Sequence, residues 1–186
     1  MSNLSNLSNL LTQPSRAGIK RESQNSDLLQ HLRFRLYPDL QAMLPISQIT
    51  EVLKLQLTQI TPIPQMPAWV MGVYNWRGEI LWTIDLGRFL GFDSWYQHQH
   101  DRALQTAIVL TPYREQSDSG IHIGLVVAAV EDIEFCDLAA IQAEVDSQTN
   151  SRLSSFLQGY WLPPGREIIL ALDGLAVAKA MPTSNY

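Results

Sequence analysis

The chain has 186 residues, 46% of them hydrophobic and 17% charged, a balance that suits a globular protein with its own core. Its formal net charge is -5 and no basic block or stripe occurs, which excludes a phosphate-binding nucleic-acid surface. A single cysteine, Cys136, excludes intrachain disulfides and Cys-based zinc sites. No apolar run approaches the roughly 20 residues that span a bilayer, so no direct membrane insertion is expected and the location is read as cytoplasmic.

Residues 1–26 repeat Ser-Asn-Leu from Ser2 to Leu10 and continue through Pro14 and Gly18. Such a segment buries too little apolar area to offset its ordering entropy and reads as a disordered N-terminal tail. Leu4, Leu7 and Leu10 leave open a short docking peptide. No positively charged stretch and no long apolar stretch open the chain, so no signal peptide is expected. A folded domain over 27–181 and a short tail over 182–186 complete the expected organisation.

From Leu32 the pattern turns to short β-prone runs. Phe34 and Leu36 begin it, and Met43 to Leu57 reads as a bulged or twisted strand because Ile46, Ile49, Val52 and Leu53 do not alternate cleanly. Pro62, Pro64 and Pro67 forbid both helix and central strand and predict a stiff connector. Ile80 to Leu86 is the clearest strand, with Ile80, Trp82, Ile84 and Leu86 on one side and Leu81, Thr83 and Asp85 on the other. Asp85 is expected to cap a short turn that Gly91 ends. A polar loop over 92–102 carries His98, His100 and Asp101.

Ala107 to Leu110 is a further strand, and the apolar run Ile121 to Val130 reads as a single strand buried on both faces. Asp137 is placed to cap a helical turn. Strands at Phe156–Leu162 and Ile168–Leu172 flank the turn Pro163-Pro164-Gly165. An acidic N-cap at Asp173 opens a short C-terminal helix.

The chain repeats itself. Glu79 and Glu167 lie 88 positions apart, as do Asp85 and Asp173, each pair within a similar Gly-aromatic-turn-strand context. Ile49-Thr50-Glu51 corresponds to Val130-Glu131-Asp132. Two matching stretches in the same order predict a duplicated β unit of about five strands, and such units commonly close into barrels. The fold class expected is all-β: two five-stranded barrels sharing an apolar seam.

No catalytic constellation emerges. His98 and His100 could face one way on an extended strand, as some metal ligands do, but only Asp101 stands near as a third. A metal enzyme on these residues is the remote alternative, and no cofactor is expected. Cys136 reads as a packed residue. Trp69, Tyr74, Trp76, Arg77 and Trp82 are residue types enriched at interface hot spots. Trp82 is assigned to the core. Trp76 and Arg77, at a turn, are candidates for exposure, and Arg77 has only Glu79 as a local acid, which leaves its guanidinium for a carboxylate on another chain.

Pro62-x-Pro64-x-x-Pro67, Gly72-Val73-Tyr74-Asn75-Trp76-Arg77-Gly78-Glu79-Ile80 and Ile84-Asp85-Leu86, followed by Leu90-Gly91, together resemble the signature of CheW-like chemotaxis coupling proteins. Gly124 to Val127 and Ile169 to Asp173 fit the same family. The resemblance covers about Phe34 to Met181 and implies two SH3-like barrels around a common core. It also implies an adaptor, not an enzyme, that joins the cytoplasmic tip of a methyl-accepting chemoreceptor to a CheA-type histidine kinase, as a monomer within a larger array. Ile49, Thr50, Glu51, Gly72, Asn75, Trp76 and Arg77 would form the receptor-binding set; the kinase-binding residues stay unassigned. Ala128 stands where the family often has Asp. The additional tryptophans suggest a specialised member serving phototaxis or pilus-based motility rather than flagella. The alternative function is a stand-alone regulator that binds receptor or kinase without coupling them.

Overall fold

In a computed structural model the residues described are 28–92, 104–111, 121–143 and 151–181. They form ten strands in two five-stranded sheets with three very short helices. Among them no helix is long and apolar enough to cross a membrane.

The chain leaves the first sheet, completes the second and returns to the first. The opening hairpin, β1 (Leu28–Leu36) and β2 (Leu40–Pro45), pairs from Leu36↔Leu40 to His31↔Pro45. It does not join the strands that follow it. β3 (Ile49–Gln56), β4 (Val70–Trp76) and β5 (Glu79–Asp85) instead combine with β6 (Leu104–Leu110) and β7 (His122–Val127) in the order β3-β6-β7-β5-β4. The hairpin waits for β8 (Ala129–Asp137), β9 (Leu157–Trp161) and β10 (Ile169–Leu172), giving β8-β1-β2-β10-β9. The duplicated unit seen in sequence is therefore a trio of strands, β3–β5 completed by the β6–β7 pair that follows it and β8–β10 by the distant opening hairpin.

The internal correspondence is close. β3 against β6 and β8 against β1 are both antiparallel, and each is bulged at the same place, at Thr50 and at Glu131. A bulge adds one residue and sharpens local twist, which helps a short sheet curl. Each curl is then closed by an isolated bridge: Thr61 exchanges two backbone bonds with Val73 at 2.8 and 2.9 Å, and Gln142 does so with Tyr160, both at 2.8 Å. The closures need glycine. A Cβ on Gly72 would lie 2.2 Å from the Thr61 carbonyl oxygen, and one on Gly159 2.3 Å from that of Gln142. Asp85 caps α1 (Leu86–Phe89) by accepting from Arg88 N at 3.1 Å, and Asp173 caps α3 (Gly174–Lys179) by accepting from Leu175 N at 2.9 Å. Both caps are as expected.

The barrels share their main core. Leu32, Phe34 and Leu36 of β1, Ile84 of β5, Ile108 and Leu110 of β6, Ile123 and Leu125 of β7, and Leu170 and Leu172 of β10 meet in one buried cluster with Leu86 and Phe89 of α1. The opposite faces of the same strands fill the barrels: Leu55, Ala107 and Val126 in one, Met43, Cys136, Ile169 and Ala171 in the other. Period-two alternation thus divides side chains between seam and barrel, and both sides are dry.

Three expectations need correction. Ile121–Val130 is two strands: the chain crosses from one sheet to the other at Ala128, whose amide donates to Arg35 O at 3.0 Å. The apolar run conceals the crossing because residues on both sides of it are core. Met43 to Leu57 is likewise divided between β2 and β3, separated by a 3-10 turn at Ile46–Gln48. Trp82, assigned to the core, is only half-buried, whereas Trp76, a candidate for exposure, is buried. The four-residue α2 (Ser151–Ser154) left no periodic signal to read. Residues 1–26, His98, His100 and Asp101 lie outside the described residues.

Candidate docking site

Trp76 and Glu79 pair at the end of the β4–β5 hairpin, so Arg77 and Gly78 form its two-residue loop. Both have positive φ, +56° and +87°, the geometry of a type I′ turn whose twist matches the strands. Asn75 steadies it by accepting from Gly78 N at 3.0 Å. The left-handed region disfavours a side chain by about 1–2 kcal/mol relative to glycine. An arginine kept there, 71% exposed, is held against local preference.

The holder is Glu51, not Glu79. Glu51 lies on β3 and Trp76 on β4, the two outer strands of the sheet order, and barrel closure brings them together. One Glu51 oxygen accepts from the Trp76 indole N–H and the other from Arg77. The Arg77 guanidinium also lies 5.4 Å from the Trp76 ring centroid. The expectation that Glu79 is Arg77's only acid, with the guanidinium otherwise left for another chain, is overturned, because sequence distance hides a 26-residue contact made by closure. A guanidinium carries five N–H groups, so this pairing leaves donors for a carboxylate or carbonyl of a partner.

The other expected residues divide. Thr50 is the exposed bulge residue beside Glu51, and Ile49 is half-buried against the shared core. Asn75 is exposed at the hairpin. Gly72 is buried beneath Thr61 and Pro62 and offers no side chain, so its part is the closure. Ile80 is 63% exposed, and register places it beside Ile121, also exposed, giving an apolar margin next to Arg77.

A second surface was not anticipated. On the seam side of β8 and β1 the cross-strand pairs run Val130↔Phe34, Ile133↔Leu32 and Phe135↔Gln30. Phe34 is fully buried, but Ile133 is 47%, Phe135 58% and Leu28 53% exposed, so the core face continues outward as an apolar ledge. The sequence signal was present: Ile133 and Phe135 alternate with Asp132 and Glu134. Alternation does not say which face is wet, and here the polar face turns partly inward, where Arg33 pairs with Glu131 and Glu134, each at 2.9 Å. Among the described residues no group of three or more His, Cys, Asp or Glu is placed to hold a metal.

The two barrels thus present an exposed charged turn and an apolar ledge. Residues 30–181 match the CheW-like domain model, so the chain belongs to the CheW-like family, whose members are scaffolding adaptors and not enzymes. It is 44% identical over 52 residues to protein FrzA of Myxococcus xanthus, spanning 28% of this chain and 31% of that one. It is 30% identical over 113 residues to chemotaxis protein CheW of Rhizobium meliloti (strain 1021), spanning 61% of this chain and 66% of that one. These matches thus cover about a third and just under two thirds of the relatives' lengths. The fold is also that of the scaffolding protein CheW from Thermoanaerobacter tengcongensis: TM-score 0.62 at 23% identity, over 78% of this chain and 89% of that one.

Proposed function

We propose that this chain is a cytoplasmic coupling adaptor that joins a methyl-accepting chemoreceptor tip to a CheA-type histidine kinase in chemotaxis-type or related motility signalling. The observation that carries this is the Arg77 turn: an exposed guanidinium kept in a strained loop by Glu51 and Trp76, beside the apolar Ile80. A receptor helix would lay an apolar stripe along that margin and offer a carboxylate or carbonyl to Arg77. An adaptor needs a second surface that stays free while the first is filled. The ledge of Ile133, Phe135 and Leu28 on the other barrel meets that need, and the kinase is its proposed occupant. Where the family often has Asp, Ala128 leaves no bare cation, since the adjoining Arg35 already lies near Asp39 and Glu131, 3.6 and 3.8 Å away.

Two substitutions test the division. Arg77→Glu should weaken binding to a receptor-tip fragment by about 2–5 kcal/mol, the range for breaking an interfacial charge pair, with kinase binding retained. Phe135→Ser should do the converse. Calorimetric titration with each partner reads both effects. Loss of both activities in either variant, with the melting temperature kept, would contradict separate surfaces.

A further inference from the structure

His122, the first residue of β7, faces the same hairpin from a strand that contributes nothing else to the site. Its Nε2 lies 2.7 Å from Glu79 Oε2, and its ring meets the Trp76 ring edge-on, with centroids 4.9 Å apart and planes inclined at 62°. Trp76 in turn donates to Glu51, and Glu51 holds Arg77. Glu79, His122, Trp76, Glu51 and Arg77 therefore form a continuous series of contacts that starts and ends on the β4–β5 hairpin and passes through β7 and β3.

We infer that His122 is a positioning residue for the Arg77 turn, an inference that rests on the receptor-binding role given above. Glu79 fixes the orientation of the imidazole, and the imidazole fixes the rotation of the Trp76 indole. The indole N–H then sets where the Glu51 carboxylate stands. Moving that carboxylate moves Arg77, whose own backbone conformation is not self-sustaining. The edge-on ring contact is the link that matters, because it sets the indole's rotation where Val109 of β6 supplies only apolar packing.

The test uses the full chain with Arg77→Ala, His122→Ala and His122→Phe. Affinity for the receptor-tip fragment is read by titration, the Trp76 indole proton by nuclear magnetic resonance, and folding by thermal melting. His122→Ala should displace the indole resonance and weaken binding about two- to tenfold, the effect of losing one aromatic pair. His122→Phe keeps a ring against Trp76 and should recover most of both changes. Wild-type affinity and an unmoved indole proton in His122→Ala, with Arg77→Ala impaired, would overturn the positioning role and leave the receptor site standing. A His122→Phe protein that folds yet binds as poorly as His122→Ala would also overturn it. Should Arg77→Ala bind like the wild type, the receptor assignment fails first and the positioning role with it.

Discussion

At Arg77 backbone strain and the proposed receptor contact fall on one residue. A type I′ turn favours Asn at its first central position, so Arg77→Asn relieves backbone strain while removing an exposed ion pair worth about 0–1 kcal/mol and a cation–π contact of similar size. These effects nearly cancel. Stability from urea denaturation should stay within about 1 kcal/mol of wild type, while receptor-fragment affinity falls; a stability loss well beyond that would make Arg77 structural. His31 offers a different test. It is fully buried on β1, its Nδ1–H donates to Leu29 O at 3.1 Å, and Nε2 has no hydrogen-bond partner among the described residues. Burial lowers its pKa, with the Leu29 bond opposing more weakly. The unfolded chain therefore takes up a proton that the folded one refuses. The His31 contribution is intact above about pH 6.5, the unfolded value, and is lost as pH falls from there toward the lower folded one. Stability measured from pH 8 to 5 should fall more steeply in wild type than in His31→Gln, and equal slopes would refute this.

At the scale of elements, much was legible because the chain repeats its own instructions. Asp85 and Asp173, 88 positions apart, announce equivalent helix caps, and the Thr50 and Glu131 bulges fall where the aligned triplets place them. What could not be read depends on closure. The Glu51–Arg77 pair joins strands that are outermost in the sheet order, and nothing in local sequence says that those strands meet. The ledge escaped for a related reason: alternation in β8 gives two faces, and only the packing of Arg33 against Glu131 and Glu134 decides that the apolar one is bare. Glycine makes closure testable. Gly72→Ala places a methyl against the Thr61 carbonyl and should cost about 2 kcal/mol or more. Gly78→Ala meets nothing within 4 Å and suffers only its positive φ, so it should cost about 1 kcal/mol. Equal losses in denaturation would mean that the bridge does not hold the barrel.

The whole molecule is a chain that crosses twice between two barrels that share one core. β1 and β2 are completed only by β8 to β10, more than 80 residues later, whereas β3 to β7 form the other barrel from one contiguous piece of sequence placed between them. The sequence repeat revealed the duplication without revealing this insertion, since a repeat identifies equivalent units but not their neighbours. Interlocking has a consequence for coupling. The charged turn on one barrel and the ledge on the other are held at fixed separation by the seam of Phe34, Ile84, Leu86, Phe89 and Leu125, every one of them buried. A rigid spacer between the two proposed docking surfaces is what the proposed coupling role requires in order to place one partner relative to another.

Simultaneous occupancy is therefore the decisive observable. The purified chain would be mixed with a receptor-tip fragment and a CheA-type kinase, and the complexes separated by sedimentation. The account predicts one complex holding all three, losing only the receptor with Arg77→Glu and only the kinase with Phe135→Ser. Complexes containing either partner but never both would contradict the coupling role and leave the chain a competitive regulator with a CheW-like fold.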